Sequence, residues 1–76
     1  KTLSIYPNPN NGEFTIETES AIHLVLVNEL GQLIRNFELN DQNQFRASVK
    51  DLAKGIYFIS GQNAEQKVHQ KIVVSH

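Results

Sequence analysis

Apolar side chains return at every second position through much of this chain, in runs too short for helices. Phe14-Thr15-Ile16-Glu17-Thr18 alternates strictly, the period-2 signature of a half-buried strand. Residues 3–6 form a shorter strand that must stop at Pro7. Pro7 and Pro9 each hold φ near about −65° and lack a backbone donor, and Asn11-Gly12 tolerates positive φ, so the chain turns between Tyr6 and Phe14. Residues 22–27 (Ile-His-Leu-Val-Leu-Val) are β-branched and apolar on both faces, which predicts a central strand covered on both sides. A turn over residues 28–32, with Gly31 at positive φ, returns the chain into residues 33–39. There Ile34 is out of phase with Leu33, Phe37 and Leu39, and a bulge would explain it.

Beyond a polar loop, residues 45–49 resume alternation with Phe45, Ala47 and Val49 inward. Residues 51–55 are the one place for a helical turn, but five residues ending in Gly make a corner, with Leu52 plugging one end of the core. Residues 56–60 form a second strongly apolar run. A hairpin over residues 61–64 then makes residues 66–74 its antiparallel neighbour. About seven short strands with turn chemistry between them predict an all-β protein, an Ig-like antiparallel β-sandwich. A barrel of five or six strands has the same periodicity.

Composition narrows the function classes. Seventy-six residues suffice for one small domain, and with no cysteine its core must come from the 39% of residues that are apolar. A net charge of −1 gives no electrostatic footprint for nucleic acid. No apolar run approaches the roughly 20 residues of a membrane-spanning helix. The chain begins at Lys1 and has no Met, so it reads as a segment of a longer protein.

Catalytic chemistry would need a nucleophile with a base, a carboxylate pair or a metal constellation, and no spacing here indicates one. His23 and His69 lie on strands and could share a face, but without a suggestive third ligand they read as solvent-facing. Glu13 and Glu17 share a face with Thr15 and read as solvated. Tyr6 and Tyr57 read as rim residues whose hydroxyls are wet or bonded to backbone. No cofactor motif is present.

The punctuation of the chain nevertheless resembles a known family. Tyr6-Pro7-Asn8-Pro9, then Gly12 and Phe14, residues 28–34 (Asn-Glu-Leu-Gly-Gln-Leu-Ile), residues 52–57 (Leu-Ala-Lys-Gly-Ile-Tyr) and Lys71-Ile72-Val73-Val74 are together similar to the C-terminal sorting domain of type IX (Por) secretion cargo in Bacteroidetes. Each motif alone is weak, and the ordered set covers essentially the whole chain. The resemblance implies a non-catalytic Ig-like domain at the C-terminus of an exported protein, continuous with an N-terminal cargo domain. It implies passage through the periplasm, docking on the outer-membrane translocon, delivery to the cell surface or medium, and removal by a sortase upstream of Lys1. The family's motif positions fall on Pro7, Asn8, Pro9, Gly12, Gly31, Gly55, Tyr57 and Lys71.

Gly31 and Gly55 have a conformational reason to recur. The rigid Pro7-Asn8-Pro9 corner, which loses little entropy on docking, is a candidate recognition surface. The last strand is another, since Lys67 and Lys71 share a face and an edge strand can be extended by a partner. Self-association is compatible with the sequence. After Lys71 the chain runs Ile-Val-Val-Ser-His, where many members finish with further basic residues. The competing expectation is an Ig-like or fibronectin-like accessory module that binds carbohydrate or spaces domains in an extracellular enzyme.

Overall fold

The computed structural model describes residues 3–8, 11–64 and 67–75. Strict alternation at Phe14-Thr15-Ile16-Glu17-Thr18 becomes the strand β2 (Phe14–Thr18), with Phe14, Ile16 and Thr18 buried. It lies between β1 (Leu3–Tyr6) and β5 (Arg46–Val49), antiparallel to both. The second sheet contains β3 (Ile22–Asn28), β4 (Leu33–Leu39), β6 (Gly55–Gln62) and β7 (Lys67–Val74) in the order β4-β3-β6-β7, again antiparallel throughout. The protein is thus an antiparallel sandwich of a three-stranded and a four-stranded sheet. Relative to an immunoglobulin constant domain, the fourth strand joins the edge of the other sheet.

The core follows the alternation. Ile16, Leu24, Leu26, Val49, Ile59 and Ile72 are fully buried, which removes the apolar surface whose hydration opposes the unfolded chain. Leu52 is buried as the predicted plug.

Several sequence expectations need correction. The run at residues 22–27 is central within its sheet, but only the face bearing Ile22, Leu24 and Leu26 is covered; Val25 and Val27 are half-exposed on the outer face. Two layers leave each sheet one outer side, and β-branched residues suit a pleated strand whether or not that side is covered. The bulge is present, since the register passes from Leu26↔Arg35 to Val27↔Leu33 and skips Ile34. Because the skipped residue reverses the alternation, Leu33 lies opposite Val27 on the outer face, 60% exposed, instead of joining Leu39 in the core.

Residues 51–54 form a corner without helix, as expected, but they are not the one place for a helical turn, since a short one forms at Asp41–Asn43. There the Asn40 side chain accepts from the backbone of Gln42 and Asn43, while Asn43 accepts from the Asn40 backbone, a reciprocal cap that satisfies the turn's first donors. Phe45 precedes β5 in a left-handed conformation (φ 58°) and is half-buried.

Tyr57 explains one motif position by structure alone. Near the start of β6, its hydroxyl donates to the carbonyl of Ala53 at 2.7 Å, four residues upstream. This is the tyrosine corner of immunoglobulin-like sandwiches, and it pins the connection from β5 to β6 against the core. Tyr57→Phe should cost about 1 kcal/mol in denaturant unfolding and leave the sheet registers unchanged.

Candidate functional site: one pole of the sandwich

The strand registers carry the scattered motif residues to one place. Tyr6 pairs with Thr15, Phe14 with Val49, Asn28 with Tyr57, and Gly55 with Val74. The ends of β1, β3, β5 and β7 and the starts of β2, β4 and β6 therefore share one pole. Pro7 and Asn8, Gly12, Gly31, Gly55 and Tyr57 all stand there, with Lys71 a few residues short of it on β7. Lys67 pairs with Gln62 at the opposite end of the same strand. Both lysines are exposed on the outer face, as expected. Pro9 lies outside the described residues.

Hydrogen bonds tie the pole together. The Tyr6–Pro7 peptide is cis, and the Asn8 amide next in line reaches the edge of the other sheet. Asn8 Nδ2 donates to the Lys71 carbonyl at 3.1 Å, and Asn8 Oδ1 accepts from the Val73 amide at 3.3 Å. A side-chain amide thus takes the place of a neighbouring strand's peptide group on the open side of β7. Leu52 N–H donates to the Gly12 carbonyl at 3.2 Å, joining the loop after β1 to the connection before β6. Gly12 has φ 106°, a conformation closed to residues with a Cβ.

The β3–β4 hairpin is organised by Asn28. Its Oδ1 accepts from the amides of Leu30 and Gln32 at 2.9 and 3.0 Å, and its carbonyl accepts from Gly31 N–H at 3.0 Å. Gly31 has φ 85° with open space around it, so backbone conformation and not crowding demands glycine there. The hairpin presents Leu30 to solvent, 79% exposed.

On the outer face of the three-stranded sheet, Glu17 has more to do than face water. Arg46 grips one carboxylate oxygen through Nη2 at 2.6 Å and Nε at 3.1 Å, and the Tyr6 hydroxyl donates to the other at 3.0 Å. The Arg46 bonds first, then the Tyr6 bond, hold the Glu17 carboxyl below its usual range, and the bond to Glu17 pushes the Tyr6 phenol up. A carboxyl lowered in the folded state contributes stability above its unfolded pKa and loses it as pH falls through the folded one. Stability should therefore decline on acidification from just above the ordinary carboxylate range, about 4.3, to below it. Urea titrations across that window should show a shallower decline for Glu17→Gln.

His23 and His69 do share the outer face of the four-stranded sheet. They are engaged separately: His23 Nδ1 lies 3.0 Å from Glu38 Oε1, and His69 stacks on Phe58 with ring centroids 5.7 Å apart. Among the described residues, no group of three or more His, Cys, Asp or Glu could hold a metal ion. No helix there is long and apolar enough to cross a membrane.

Sequence reasoning missed Arg46 and the mooring of Asn8. Nothing local marks either, because their partners lie 29 and 63 or more residues away.

The family model for the secretion system C-terminal sorting domain matches residues 4–75, so the chain belongs to that family, the sorting domains of type IX secretion. A search of curated proteins finds no match. Membership implies export to the cell surface or extracellular space, in a family not known for catalysis.

Proposed function

We propose that this chain is a single, folded, non-catalytic address at the C-terminal side of an exported cargo, read in the periplasm by components of the type IX translocon. The observation that carries the proposal is the convergence of Pro7, Asn8, Gly12, Gly31 and Gly55 on one pole, beside Lys71. The glycines and Tyr57 shape that pole. Pro7, Asn8 and Lys71 offer it to the translocon, and Lys67 extends the surface along β7; Pro9, outside the described residues, is counted with them on the sequence motif alone.

A preorganised, hydrogen-bonded corner loses little entropy on docking, which suits a signal that must be recognised in the folded state. The mechanism is binding alone: the docked pole brings the attached cargo to the exit, and a sortase then cuts on the cargo side. The test is a periplasm-directed reporter carrying residues 1–76, expressed in a bacterium with this secretion system. Export of the reporter is expected; retention of the reporter in the periplasm with the domain folded would overturn the proposal.

A further inference from the structure

The open side of β7 is divided in two. β6 covers one side of this strand along its length, in unbroken register from Gln62↔Lys67 to Gly55↔Val74. Since Asn8 meets the Lys71 carbonyl and the Val73 amide on the other side, the alternation of an antiparallel ladder turns the backbone groups of Lys67 and His69 the same way. Asn8 closes the half of the edge nearest the pole. Among the described residues β7 has no second neighbour in the sheet, which leaves the half from Lys67 to Gln70 open.

The side chains around this open half select what could pair with it. Lys67, His69 and Lys71 alternate with Val68 and Gln70, so the two lysines and the imidazole stand on the outer face. Lys67 and His69 also line a hollow of ≈ 560 Å³ on that face, with His23, Val25 and Ser60. On the inner face Val68 is half-buried against the core and Ile72 is fully buried. The carboxylate of Glu38, on β4 at the opposite edge of the sheet, is paired with His23.

From this arrangement we infer that the Lys67–Gln70 half of β7 takes up an extended segment of a partner protein as an added strand. The segment alternates acidic residues on its outer side with small apolar residues on its inner side. Directly opposite cross-strand positions reward opposite charges and penalise like ones. Edge lysines therefore discourage a second copy's β7 and favour an acidic strand. Asn8 sets the register by ending the pairing at Lys71. The inference rests on the sorting reading only in taking the partner to be an export component.

The test uses the 76-residue chain and a fluorescein-labelled peptide of nine alternating glutamates and valines. Saturable anisotropy is expected, with slowed hydrogen exchange at the Lys67 and His69 amides. A lysine–valine peptide should not bind. Lys67→Glu should weaken binding by about tenfold or more. His69→Pro removes an outward donor that β6 does not use, a substitution edge strands tolerate, and should abolish binding with the chain still folded. If that variant does not fold, N-methylation of the peptide on alternate residues supplies the same test and should also abolish binding.

No binding by the glutamate–valine peptide, equal binding to folded His69→Pro or by the N-methylated peptide, protection mapping away from β7, or pairing of two copies through β7 would each overturn the inference. Reporter export by the unaltered chain is a separate readout. Export without peptide binding removes the added strand and leaves the address; peptide binding without export does the reverse.

Discussion

Gly61→Ala should destabilise the protein more than any other single-methyl change we can name. Gly61 sits in β6 opposite Leu24 on one side and Val68 on the other. A Cβ there would meet the His23 carbonyl oxygen at a forbidden separation and lie 2.6 Å from Leu24 Cδ2. The first contact is with backbone inside the β3–β6 ladder, so relief requires the two central strands of the four-stranded sheet to separate. Overpacking of this kind costs on the order of 1–3 kcal/mol, occasionally more, and a backbone obstacle puts it at the upper end. Against a total of about 4–11 kcal/mol for a chain of this size, that is a large fraction. The melting temperature should fall by roughly 10–20 °C, as calorimetry or circular dichroism would read. A fall of less than a few degrees would show that the strands are not so closely seated.

Asn8→Ala should have the opposite profile, a small effect on folding and a large one on export. The two bonds from Asn8 to β7 are exposed, and water can replace them, so their loss should cost about 1 kcal/mol at most. What disappears is the link holding the proline corner against the last strand, and with it the fixed shape proposed for docking. Export of a fused reporter should fall at least about tenfold, equivalent to about 1.4 kcal/mol of docking free energy. Asn8→Asp keeps an acceptor for Val73 N–H but loses the donor to Lys71. It should export at an intermediate level.

How far the sequence foretold these features depended on whether the deciding partner was near or far along the chain. Phe14 and Ile16 announced β2 because their alternation with Thr15 and Glu17 is undisturbed, and Leu52 announced itself as the one large apolar residue in its corner. The bulge at Ile34 was visible as a break in phase, but its consequence for Leu33 was not. Which side of a bulge keeps the core register depends on pairing with β3, and that information is not local. The turn at Asp41–Asn43 was hidden in a polar loop, although Asn40 and Asn43 carry the spacing of a reciprocal cap. Of the candidate site, the proline corner was legible from backbone chemistry. Its anchorage on β7 and the gathering of the motif glycines at one pole were not, because both arise from strand order across the two sheets.

The central claim is that the pole is read by the export machinery, and is not simply needed for folding. The most direct measurement compares reporter export with melting temperature for three versions of the 76-residue chain: unaltered, Tyr57→Phe and Asn8→Ala. Tyr57→Phe loses a partly buried bond beneath the pole and Asn8→Ala loses exposed bonds at its surface, so stability should fall as much or more in the first. Normal export by Tyr57→Phe together with poor export by Asn8→Ala is the expected result. Export that tracks melting temperature across all three would contradict the account.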